Sequence, residues 1–297
     1  VTEYGQEDCS WAAEWRELGA HISPGTWCGI WQRLGPLFQP LAEALLEACR
    51  AGGQWLMDET RWAVFVEVAG KGSNRWWLWV VFSPKVKLYI LSPSRGQGVP
   101  KDFFGYDESQ EQCRWTGSLM VDRYSSYKFL AALLSLAFCW AHVRRDFVEA
   151  QAGAQAEQVD WAQGWIEGIG ALYKLNAQRL ELGVDLKEPK LPAPFVRMDP
   201  ERRAGEEYQQ ADGSLRNAVR AMKEQWELEL AQEKLPVRRR KILESLRKHW
   251  SGLTLFVEQP EIPMDNNGAE RTARPAAIAR NNFYGSGSVW SGELLAM

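Results

Sequence analysis

Three acidic residues carry the first chemical signal. Asp58 follows Trp55-Leu-Met and Asp122 follows Leu119-Met-Val, so each is read as standing at the end of an apolar, strand-forming run. A carboxylate there is costly to bury unless a cation, a hydrogen-bond network or a metal offsets its charge. Each aspartate alone reads as a strand-end cap or turn residue. Two in one sheet point instead to paired carboxylates, which repel each other unless Mg²⁺ or Mn²⁺ neutralises them. Two such ions activate a water or a 3′-hydroxyl and stabilise the leaving oxygen of an in-line phosphoryl transfer. A third carboxylate completes the cage. Glu270 is the candidate: it follows an Asn266-Asn267-Gly268 turn and is flanked by Arg271 and Arg274, suited to phosphates. By position alone, Glu270 is equally a first-turn helix glutamate favoured by the macrodipole. Glu293, in Ser291-Gly292-Glu293, is its competitor.

The remaining composition narrows the setting. A chain of 297 residues, 45% apolar and 25% charged, is that of a globular protein with one or two domains. Its sixteen tryptophans bias it toward aromatic packing, yet no apolar run is long enough for a membrane span. Residues 1–20 lack the basic start and apolar core of a secretory signal, and the cysteines at 9, 28, 49, 113 and 139 are isolated and odd in number. A reduced, cytoplasmic setting is expected. There is no CxxC pair, and His21, His142 and His249 are far apart, so a structural zinc site has no local support. The net charge of −3 argues mildly against a surface coated with DNA-binding cations. Locally, Arg238, Arg239, Arg240 and Lys241, followed by Arg247, Lys248 and His249, form a basic segment. Both a solvated helix face and a DNA-backbone contact remain open for it.

The elements that must position these residues follow from periodicity. Residues 1–53 read as a helical lead-in, helical over 9–50 with a break at Pro24-Gly25 and a resumption at Leu34. Residues 19–27 are compatible with a helix-turn-helix remnant, although a structural helical pair is the preferred reading because nothing basic lines them. Residues 54–150 form the first part of a core. Trp55 to Val68, Arg75 to Phe82 and Lys85 to Leu91 make a three-strand antiparallel meander, with turns at 70–74 and 83–84. A strand ending at Asp122, a helix over 124–134, a strand from Leu136 to Trp140 and a helix beginning near His142 follow. This predicts an α/β fold, a mixed sheet with helices on its faces. Residues 151–250 read as an all-helical insertion, cut by Pro189, Pro192, Pro194 and Pro200, and residues 251–297 close the core with a helix through Arg280.

Five segments in order then become recognisable: Asp58-Glu-Thr60, Asp122-Arg-Tyr-Ser-Ser-Tyr127, Cys139-Trp-Ala-His-Val-Arg-Arg-Asp-Phe147, Asp265-Asn-Asn-Gly-Ala-Glu-Arg271 and Arg280-Asn-Asn-Phe283. Together they resemble the transposases of the IS66 family of bacterial insertion sequences. The resemblance covers most of residues 54–150 and 253–297. It implies an RNase H-like core with Asp58, Asp122 and Glu270 as a DDE triad binding two Mg²⁺ or Mn²⁺ ions. It also implies DNA cleavage and strand transfer by a bacterial cytoplasmic enzyme, acting as a homo-oligomer on element ends and target DNA, with accessory proteins as further partners. Arg271, Arg274, Arg280, Arg238, Arg239, Arg240 and Lys241 are the expected DNA contacts. His142 and Arg145 are expected to support the site, with Cys139 and Trp140 packed in the core, a reading preferred over metal ligation by this segment.

The chain also departs from the family pattern. Arg123 stands where the family commonly has Gly, and Asn281 replaces an expected cation. The absence of an initiator Met and the short ends suggest a fragment or degenerate copy. Two alternatives stay open, another RNase H-like nuclease and a truncated, inactive remnant that binds DNA.

Overall fold

Three runs rich in Trp, Val and Leu pair as an antiparallel meander, and two short strands add to it in parallel. The computed structural model describes residues 15–66, 73–152 and 155–297. After helix α1 (Pro24–Arg50) come β1 (Gln54–Ala63), β2 (Arg75–Phe82), β3 (Lys87–Ser92) and helix α2 (Gly98–Phe104). A two-residue hairpin, β4 (Tyr106–Asp107) with β5 (Gln112–Cys113), leads into β6 (Ser118–Val121), a 3-10 helix (Ser125–Ala132) and β7 (Ser135–Phe138). Then follow α3 (Trp140–Gln151), α4 (Ala156–Gly183), α5 (Pro200–Ala204), α6 (Glu206–Leu230), α7 (Val237–Leu253), α8 (Leu255–Glu258), α9 (Asn267–Phe283) and α10 (Val289–Ala296).

The main sheet has the order β3-β2-β1-β6-β7. β1 pairs antiparallel with β2, and β2 with β3, whereas β1–β6 and β6–β7 are parallel. The sheet is therefore mixed, as expected. Side chains alternate between its faces. Leu56, Phe82, Met120 and Ala137 join the core under α3, α4 and α7, while Met57, Trp79, Val81, Leu119 and Val121 pack with Phe103, Phe104 and Tyr127 on the other face. Full burial of each large apolar side chain contributes roughly 1.5–3 kcal/mol before entropy is subtracted.

Helix α9 lies on the first of these faces, against β1 and β2. Its buried Ala269, Ala273 and Ala276 allow a close approach to the strands. Among the described residues of 155–253 there is no strand of the main sheet, only an isolated bridge between Val184 and Met198. There α4 packs against α6 and α3, with Trp165, Ile169, Leu172, Leu215, Met222 and Trp226 at the contact. Trp140 joins this region to the core, donating its indole N–H to the Leu253 carbonyl at 2.7 Å.

Several boundaries differ from the sequence-based expectation. β1 stops at Ala63, and Val64 forms only an isolated bridge to Ser286; residues 67–72 lie outside the described residues. Of the lead-in, residues 1–14 also lie outside them. Helix α1 begins at Pro24 instead of resuming at Leu34, because Ser23 caps it by accepting the Thr26 N–H and proline suits the first helical position. The expected 124–134 helix is a shorter 3-10 helix, and β7 ends at Phe138, so that Trp140 opens α3.

Candidate active site

Asp58 is in the middle of β1, not at its end: its antiparallel partner is Val80, and the ladder continues to Ala63 opposite Arg75. On its other side β1 runs parallel to β6, with Leu56 opposite Met120. Two residues further along this register, Asp58 is level with Asp122, the residue that follows β6. Alternation places Asp58 on the face of Leu56, the one that α9 covers. Asp122 accepts the Tyr124 N–H at 2.8 Å, a short turn that leads the chain into the 3-10 helix.

Two neighbouring carboxylates on β1 have opposite circumstances. Glu59 points to the far face, where Arg95 donates at 2.7 Å and the Tyr127 hydroxyl at 2.8 Å. Arg95 is itself stacked over Tyr124 and Trp77. Asp58 has no cation within ion-pair distance among the described residues. Burial, then the charge of Glu59, and further the charges of Glu270 and Asp122, push its pKa from 3.8 up to about 7. The three acids therefore share one electrostatic environment, and a metal-free site holds Asp58 partly protonated near neutrality.

Glu270 lies in the first turn of α9. Its Oε1 is 3.7 Å from His142 Nε2 and is buried without a hydrogen-bond partner among the described residues. Burial lowers the His142 pKa, against the pull of Glu270 and with that of Arg145. Asn266, at the N-cap of α9, is fully buried. It donates its side-chain amide to the Met57 carbonyl at 2.8 Å and its backbone N–H to Cys139 Sγ at 3.2 Å. One residue thus joins β1, the entry to α3 and the helix that carries Glu270. A ligand atom each from Cys139, His142 and Glu270 lies within 4.8 Å of the others.

The cations divide into free and engaged groups. Arg271, Arg274, Arg145 and Lys241 are exposed. Arg280 donates to the Arg61 carbonyl at 2.7 Å and to Thr60 at 3.3 Å, so it fastens α9 to β1. Arg238 bonds the Glu149 carbonyl, Arg239 bonds Gln158 and Glu157, and Arg240 bonds the Gln232 carbonyl. Arg123 turns away from the acids to Asp146 at 2.6 Å, Ser245 at 2.8 Å and the His142 carbonyl at 3.2 Å. Glu293 is on α10, which packs on edge strand β3, two strands from β1.

Sequence reasoning missed the joining role of Asn266 and the Glu59–Arg95–Tyr127 network. Asn266 was visible only as part of a turn, and Glu59 only as a neighbour of Asp58.

The sequence profile described as "Transposase IS66 family" matches residues 11–294. The chain belongs to the IS66 transposase family. Among its relatives are two proteins of Sinorhizobium fredii (strain NBRC 101917 / NGR234), both described as uncharacterized. The first, y4jD, is 25% identical over 94% of this chain and 52% of its own length. The second, y4qI, is 28% identical over 91% of this chain and 47% of its own length. The chain thus spans about half the length of the curated relatives it matches. Within the IS66 match fall all three acids and the Asn266 junction.

Proposed function

We propose that this chain is the catalytic part of a DDE transposase that cuts and rejoins DNA ends, with Asp58, Asp122 and Glu270 as its three acids. The observation that carries the proposal is the β1–β6 register, which levels Asp58 with Asp122, together with the charge of Glu270 felt at Asp58. The strand order, three antiparallel strands followed by two parallel ones, supports an RNase H-like core. We assign residues 54–150 and 251–297 to that core, 151–250 to a helical insertion and 1–53 to a helical lead-in.

The donor set suits hard divalent ions, since it offers carboxylate oxygens, with Asp58 paired to no cation and Glu270 Oε1 buried without a hydrogen-bond partner among the described residues. Asp58, Asp122 and Glu270 would hold Mg²⁺ or Mn²⁺, two ions in all, which supply charge neutralisation and activation of a water or 3′-hydroxyl when bound. The chain's own residues do the positioning. Asn266 and Arg280 hold α9 to β1, and Arg123 fixes the chain after Asp122 to α3 and α7. Exposed Arg271 and Arg274 suit the phosphates of DNA entering beside Glu270, with Arg145 and Lys241 extending the cationic surface. Arg238, Arg239, Arg240 and Arg280 contact phosphates only through donor atoms left over from their internal bonds. A homo-oligomer on DNA, with accessory proteins, in a bacterial cytoplasm completes the proposal.

The test is strand transfer with pre-cleaved element ends and Mg²⁺ or Mn²⁺. Joined products that disappear in Asp58→Ala support a transposase. Hydrolysis without joining supports a nuclease, and DNA binding with neither supports an inactive remnant.

A further inference from the structure

We propose that Cys139, His142 and Glu270 form a binding site for one thiophilic divalent cation of the Zn²⁺ type, joining the entry of α3 to the first turn of α9. The three ligand atoms already converge within 4.8 Å. Tetrahedral zinc with bonds of about 2.0–2.3 Å sets its ligand atoms roughly 3.3–3.8 Å apart. His142 Nε2 and Glu270 Oε1 are 3.7 Å apart, close to that spacing.

The imidazole and carboxylate donors are otherwise unengaged. Glu270 Oε1 is buried with no hydrogen-bond partner among the described residues, and His142 Nε2 has only the long approach to Glu270. Such groups cost free energy unless something satisfies them. A thiolate and a carboxylate together balance a 2+ ion, and a coordinated thiol is deprotonated outright. The Asn266 N–H aimed at Cys139 Sγ, at 3.2 Å, orients the sulfur as an outer partner does in a metal centre. Sulfur and imidazole select Zn²⁺ or Co²⁺ over Mg²⁺, so this site is chemically distinct from the cage of oxygens. Three protein ligands leave a fourth position for water.

The site shares Glu270 with the proposed reaction but does not rest on it. Its test is a Co²⁺ titration of the full chain without DNA or Mg²⁺, read by the thiolate-to-cobalt charge-transfer absorption. A thiolate band corresponding to one bound ion is expected, retained in Cys28→Ser, whose thiol is exposed and elsewhere. The band should vanish in Cys139→Ser. In His142→Asn and Glu270→Gln, affinity should fall by more than the roughly 10–100-fold that loss of an outer partner costs. If Cys139→Ser does not fold, equilibrium dialysis of Zn²⁺ with the other two variants decides the same question. No thiolate band in the wild type, a band surviving in Cys139→Ser, or unchanged affinity in His142→Asn would overturn the site. Because DNA is absent, none of these results depends on whether the chain cleaves it.

Discussion

The Asn266 side chain donates to the Met57 carbonyl at 2.8 Å, so the helix bearing Glu270 is fastened to β1 one residue before Asp58. Asn266 is fully buried, and no solvent competes for that bond. Replacement by Ala removes the link and leaves the carbonyl without its side-chain donor, at about 1–3 kcal/mol. A displacement of the third acid by ~1 Å costs on the order of 10²-fold in rate. We expect Asn266→Ala to fold, with a lower Tm, and to cleave DNA about 10²-fold more slowly at saturating Mg²⁺. Wild-type cleavage in a folded variant would show that the link does not position Glu270.

Asp58 gives a pH dependence with a definite sign. Its pKa in the fold, about 7, stands above the ordinary 3.8, so the fold disfavours its ionised form. The stability tied to this group is complete below about pH 4 and is lost as pH rises through about 7. Metal-free Asp58→Asn should therefore unfold at a higher temperature than the wild type at pH 8, and the two should converge toward pH 5. Mg²⁺ should raise the wild-type Tm at pH 8 more than at pH 5, because protons compete for the same oxygens. Equal shifts at both pH values, or an unchanged Tm difference between the proteins, would contradict this assignment.

The two candidates for the third acid separate by position. Glu270 acts electrostatically on Asp58, whereas Glu293 is on a helix packed at the β3 edge. Glu270→Gln keeps size and hydrogen bonding but loses the charge that a metal needs. It should abolish metal-dependent cleavage and leave DNA binding, measured by gel shift, nearly intact. Glu293→Gln should retain cleavage, and the reverse pattern would reassign the acid.

What could be read from the sequence was local. Leu56 and Met57 before Asp58 marked a strand, and the meander and the mixed sheet followed from similar runs. The run from Trp55 to Val68 already carried the strand past Asp58, but where it ends was not legible, because the end of β1 is set by its ladder with β2, out to Ala63 opposite Arg75. Likewise the charge of Arg238 to Arg240 was plain, but not that Glu149, Glu157 and Gln158, far back in the chain, receive two of them. The Cys139-x-x-His142 spacing was present too. Its convergence with Glu270 needed β1, α3 and α9 assembled around Asn266, which no local pattern announces.

A glycine tests how closely α9 must approach the sheet. A Cβ on Gly268 would meet Pro194 Cδ at 2.8 Å, Leu56 Cδ2 at 2.9 Å and Phe82 Cδ1 at 3.3 Å. Leu56 and Phe82 are sheet residues, so the new methyl must push the first turn of α9, and Glu270 with it, off β1. Overpacking of this kind costs typically about 1–3 kcal/mol. The gain in helix propensity from Gly to Ala, about 1 kcal/mol, offsets only part of it. Gly213, inside α6, is the control: a Cβ there meets nothing within 4 Å. Gly213→Ala should stabilise the protein by roughly 0.5–1 kcal/mol in urea unfolding and leave cleavage unchanged. Gly268→Ala should lower both the unfolding midpoint and cleavage, the latter by an order of magnitude or more, since displacement of Glu270 adds to the packing cost. If Gly268→Ala instead stabilises the chain as Gly213→Ala does and cleaves at the wild-type rate, the first turn of α9 is not held at the distance described, and the placement of Glu270 beside Asp58 fails with it.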